Sequence, residues 1–134
     1  MPGTSKSDHL LNLVLVARSD GDMKPIEVLF LSRKRHELSG RITTLADAVI
    51  RSFGEDFKTP YELIQKEHVL FDMIVMALID GITDSKEQEL VFAYIDATKL
   101  ESQRISAIIR NAINYAQQQR SDIIAELHRY QLPL

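Results

Sequence analysis

The sequence contains no cysteine, which excludes disulfides, thiolate nucleophiles and cysteine-held metals together. It has no excess of positive charge either: 16 Lys and Arg stand against 19 Asp and Glu, a net charge of −3. Residues 1–67 carry ten of each sign, and residues 68–134 carry six basic and nine acidic side chains. A nucleic-acid partner normally requires a basic face, so this balance argues against one. Long hydrophobic runs are missing as well. The longest, MIVMALI at 73–79, has seven residues, against ~20 for a bilayer span. The start, MPGTSKSDHL, lacks a basic region followed by an apolar signal core. The expectation is a cytoplasmic protein with no membrane insertion. No HExxH, GxSxG or glycine-rich phosphate loop occurs, so no enzyme is expected.

Strand-like alternation is also absent, and helical periodicity takes its place. Ile42, Leu45, Ala46, Val49, Ile50 and Phe53 follow i, i+3, i+4, i+7 spacing, and Ile105, Ile108, Ile109, Ala112, Ile113 and Ala116 repeat that stripe. Both segments read as amphipathic helices with one core-facing side. LLNLVLVA at 10–17 and VLFDMIVMALI at 69–79 are apolar nearly all round, so these two helices are expected to be buried. Met73 and Met76 read as core. Glycines at 21, 40, 54 and 81 fall between the periodic segments, where stops belong. The fold class is all-α.

Helix starts carry their own signals. Thr59-Pro60-Tyr61-Glu62 places a hydroxyl at the N-cap, proline at the first helical position and glutamate at the third. Asp84-Ser85-Lys86-Glu87 is the carboxylate form of that box. Earlier in the chain Lys24 stands at the cap position, but Pro25 and Glu27 keep the N1 and N3 roles. The frame Ala-x-x-Asp-Gly-x-x-x-x-x-Glu therefore occurs twice, as ARSDGDMKPIE from residue 17 and ALIDGITDSKE from residue 77. Each copy reads as a helix, a sharp Asp-Gly turn and a second helix, with an amphipathic stripe following. We expect one domain over 1–134, a compact bundle of about six to seven helices. Repeat 1 covers about 8–57, repeat 2 about 68–118, and an extension over 119–134 docks through Ile123, Ile124 and Leu127. The halves are expected to be related by a pseudo-two-fold.

The doubled frame resembles the signature of the TerB-like family, named for a bacterial tellurite-resistance protein, over roughly residues 8 to 118. Members typically carry Ala-x-x-Asp-Gly, an acidic residue and a later glutamate in each of two helical repeats. The acidic residue after glycine is present as Asp22 but is Ile82 in the second copy. The resemblance implies a compact all-helical fold in a bacterial stress response. It also implies that acidic residues of this kind bind a divalent cation. Related domains occur beside J-domains in membrane-associated co-chaperones, which implies that the fold serves protein partners.

Physically, Asp20 and Asp80 fall at helix C-termini, where exposed carbonyls disfavour negative charge. One compensation is the next helix, whose free N–H groups a carboxylate can accept from. The other is a cation held by Asp20, Asp22 and Glu27, or by Asp80, Asp84 and Glu87, as hard oxygen ligands. Capping explains every position and is preferred. No cofactor is required, and a divalent cation stays open. An EF-hand is excluded. Counted from Asp20, positions 5, 6 and 12 are Lys24, Pro25 and Leu31; from Asp80, positions 3 and 6 are Ile82 and Ser85. His68 and Asp72 share a helical face at i, i+4 and read as a surface contact. Histidines 9, 36 and 128 form no ligand spacing, and Arg33-Lys34-Arg35 reads as a solvated face. Two functions remain: a non-catalytic module for a protein partner, which is preferred, and a cation sensor built on the Asp-Gly turns.

Overall fold

A computed structural model describes residues 6–19, 21, 23–38, 42–81 and 84–130, with the backbone alone described for 42–44. Six helices follow in order: α1 (Lys6–Arg18), α2 (Pro25–Leu38), α3 (Ile42–Arg51), α4 (Leu63–Leu78), α5 (Ser85–Thr98) and α6 (Ser102–Arg129). There is no strand among the described residues. The chain is an all-α bundle, as its periodicity requires. No helix among the described residues is long and apolar enough to cross a membrane.

The two segments that are apolar nearly all round form the centre. Leu10, Leu11, Leu13, Val14 and Val16 of α1 and Leu70, Met73, Val75 and Met76 of α4 are fully buried. A helix with no polar stripe has no face to give to solvent, so α1 and α4 pack on each other and the rest wrap round them. Helices α2 and α3 pack on α1, and α5 and α6 pack on α4. Phe30 and Leu31 of α2, Ala48 of α3, Val91 and Tyr94 of α5, and Ile108, Ala112, Ala116, Ile123 and Leu127 of α6 belong to the same core cluster.

Three expectations are corrected. First, residues 119–129 are no separate extension. They continue α6, and they dock through Ile123 and Leu127 as expected, on the same side as Ile108, Ala112 and Ala116. Second, Thr59-Pro60 does not open a helix, since α4 begins at Leu63 with Glu62 at its N-cap and no side-chain cap bond. The fully buried Asn12 pins the backbone just before, its amide donating to Lys58 O and accepting from Lys58 N, both at 2.7 Å. A buried amide satisfied on both sides holds this linker out of the helix, which starts three residues later than Pro60. Third, Ala46, Ile50 and Phe53 are exposed, whereas Ala48 is the fully buried residue of α3. Of the described α3 side chains, Ala48 enters the core and Leu45 and Val49 pack against it, and the Arg18 guanidinium covers the Phe53 ring at 3.8 Å. The side chain of Ile42 lies outside the described residues.

Candidate functional site

The Asp-Gly turns share one local geometry. Gly21 and Gly81 have φ of +109° and +84°, a region that glycine enters at little cost. Their N–H groups bond back to Arg18 O and Leu78 O, both at 2.9 Å. At the helix starts beyond them, Lys24 N donates to Glu27 Oε1 at 2.7 Å and Asp84 N to Glu87 Oε1 at 3.3 Å. Asp84 Oδ1 in turn accepts from Lys86 N at 2.7 Å and Glu87 N at 3.4 Å, closing a reciprocal cap. Glu27 and Glu87 are buried in these roles.

The fold also brings the two turns together, which the spacing of the copies does not reveal. Lys24 Nζ reaches Asp80 Oδ2 at 2.6 Å, across 56 positions of chain. The second turn's first carboxylate is thus engaged by an ammonium from the first turn. Asp20 and Asp22 lie outside the described residues. Among the described residues, no three His, Cys, Asp or Glu side chains gather as a metal ion would require.

A second constellation sits at mid-bundle. Asp72 of α4 is fully buried, which corrects its reading as half of a surface pair. His9 Nε2 lies 2.9 Å from Asp72 Oδ2. An ionised carboxylate only accepts, so His9 carries its proton on Nε2. Lys34 Nζ stands 3.1 Å from Oδ1 as an ion pair off the direction of a hydrogen bond, and 2.9 Å from Glu37 Oε2. Lys34 is buried too, so the basic triplet at 33–35 is not wholly solvated. Exposed His68 covers the cluster, with Nε2 3.6 Å from Asp72 Oδ2 and its ring edge-on to His9 at 5.1 Å.

Burial alone would raise the Asp72 carboxyl, but the His9 hydrogen bond and the Lys34 charge hold it below its ordinary value. Burial likewise works against the Lys34 ammonium, and the charges of Asp72 and Glu37 hold it above its ordinary value. Each group is fixed in its charged form. A general acid or base needs a proton it can exchange near neutrality, so neither Asp72 nor Lys34 suits that role. The cluster clamps α1, α2 and α4.

The third feature is a groove between α4, α5 and α6. It encloses about 260 Å³ and is lined by Ile74, Ala77, Leu78, Val91, Phe92 and Ile113, among others. Phe92 is 58% exposed and Ile113 39% exposed. A second hollow of about 240 Å³ shares Leu78 and Ile113 with it and ends at Gly81, Gln117 and Arg120. Periodicity had assigned Ile113 to the core stripe and did not single out Phe92. The available signal is the run Leu90-Val91-Phe92, because three consecutive helical residues point about 100° apart and cannot all face one core.

No family model, curated protein or solved structure matches the chain. The TerB-like resemblance therefore stands on the doubled frame alone.

Proposed function

We propose that this chain is a non-catalytic protein-interaction module, TerB-like and bacterial, which works in the cytoplasm by receiving a helical segment of a partner protein in the α4–α5–α6 groove. The observation that supports this reading is the exposure of Phe92 beside Ile113 over a concave apolar floor. Small-molecule sites usually enclose roughly 300–1,000 Å³, and a hollow of about 260 Å³ suits one or two inserted side chains better than a whole ligand. Apolar anchors one helical turn apart are the usual content of such grooves.

A divalent cation at the Asp-Gly turns is the other reading. At the second turn, the Lys24–Asp80 pair and the caps formed by Asp84 and Glu87 occupy the carboxylates a cation would use. The first turn keeps the full acidic set in sequence, Asp20, Asp22 and Glu27, and is where a cation would bind, with Glu27 already engaged at Lys24 N.

The test of the groove is a display selection of random helical peptides against the whole chain. Enriched peptides are expected to lose about tenfold or more in affinity against Phe92→Asp, since buried aromatic anchors dominate such interfaces. Circular dichroism should show that variant folded, because the residue is exposed. No enrichment, or peptides indifferent to both Phe92→Asp and Ile113→Asp, would remove the groove as the working surface.

A further inference from the structure

Arg120 stands out among the charged side chains around the groove. Its Nε is buried with no hydrogen-bond partner, and Arg120 joins no ion pair among the described residues. The guanidinium lies against Gly81: a Cβ placed there would sit 2.8 Å from Nε and 3.0 Å from Cζ. At Gly21, the matching position of the first turn, a Cβ would meet nothing within 4 Å among the described residues. The second turn thus differs from the first in seating a guanidinium. Asp80, the residue before Gly81, is engaged by Lys24. With Nε buried and no carboxylate paired with it among the described residues, the guanidinium is open to one, and arginine's fork matches carboxylate oxygens in pairs.

Arg120 also lies on the groove's own face of α6. Ile109, Ile113, Gln117 and Arg120 are spaced 4, 4 and 3 residues apart and line the two joined hollows. From Ile109 to Arg120 is about 16 Å at ~1.5 Å per residue. We propose that the partner segment is an acidic amphipathic helix whose apolar side chains lie over Phe92 and Ile113 and whose Asp or Glu, about two turns away, pairs with Arg120. The inference rests on the groove reading given above and adds to it the charge and spacing of the occupant.

The test uses the peptides enriched by the display selection, each made with its Asp or Glu and with the matching Asn or Gln. Binding to the whole chain and to Arg120→Gln is read by fluorescence anisotropy. The acid-to-amide exchange is expected to weaken binding to the unsubstituted chain by at least about tenfold and to change binding to Arg120→Gln little. Because Arg120 makes no ion pair among the described residues, Arg120→Gln is expected to melt no lower than the parent. If it fails to fold, the exchange on the peptide against the parent chain still decides. Peptides that need Phe92 but tolerate the exchange overturn the Arg120 anchor and leave the groove standing. Peptides that ignore Phe92 overturn both. A dimer in sedimentation equilibrium that Phe92→Asp dissociates overturns the inference too, since the occupant is then a second copy.

Discussion

Asp72→Ala is expected to destabilise the protein by about 3–5 kcal/mol, the range for removing one member of a buried ion pair. The loss has two parts. Lys34, itself buried, keeps its charge and loses the Asp72 oxygen 3.1 Å away, while His9 loses its acceptor at 2.9 Å. Replacing both charges, as Asp72→Leu with Lys34→Met, is expected to recover much of that loss, because an apolar pair of similar volume leaves no orphaned charge. Urea unfolding measures both variants.

The pH dependence follows from the directions of the shifts. Asp72 titrates lower in the folded chain, so its contribution is present above its unfolded pKa of about 3.9 and disappears as pH falls through the folded value. Lys34 titrates higher, so its contribution is present below about 10.4 and disappears as pH rises through the folded value. The penalty of Asp72→Ala should therefore shrink in acid, as pH falls below about 3.9. A loss under about 1 kcal/mol at neutral pH would match a surface pair and contradict the clamp.

Gly81→Val is expected to cost more than Gly21→Val. Both residues adopt positive φ, where a β-branched side chain costs about 1–2 kcal/mol. At Gly81 the new Cβ also meets the Arg120 guanidinium at 2.8 Å, whereas at Gly21 it meets nothing within 4 Å among the described residues. Arg120 can swing away only by leaving its seat beside the groove, so the substitution couples the turn to the binding surface. Thermal melts of the two variants check the order. Equal losses would show that Arg120 yields freely, and unchanged melting would show that neither glycine needs its conformation.

Local features were legible in the sequence because their causes are local. The left-handed glycines, the Asp84–Glu87 cap and the continuous burial of α1 and α4 each depend on a few neighbouring residues. What escaped depends on which distant element arrives. Spacing joins His68 to Asp72, but only the packing of α1 and α2 on that part of α4 brings His9 and Lys34 to the same carboxylate. The pattern at Thr59-Pro60 is a sound helix start until Asn12, 46 residues earlier in the chain, seizes the Lys58 backbone. Periodicity put Ile50 and Phe53 with Leu45 on one face, yet it cannot say how much of that face a neighbour covers. The groove escaped for the same reason: Phe92, Ile113 and Arg120 become one surface only when α5 and α6 pack on α4.

Amide chemical-shift mapping of the whole, isotope-labelled chain separates the two functional readings most directly. With an enriched peptide, the largest shifts are expected at Leu78, Gly81, Phe92, Ile113 and Arg120. With Ca²⁺, Mg²⁺, Mn²⁺ or Zn²⁺ added to the metal-stripped chain, the amides at the Gly21 and Gly81 turns are expected to stay in place. Cation-dependent shifts at Gly21 that Asp20→Asn erases, with the groove silent to every peptide, would contradict the account.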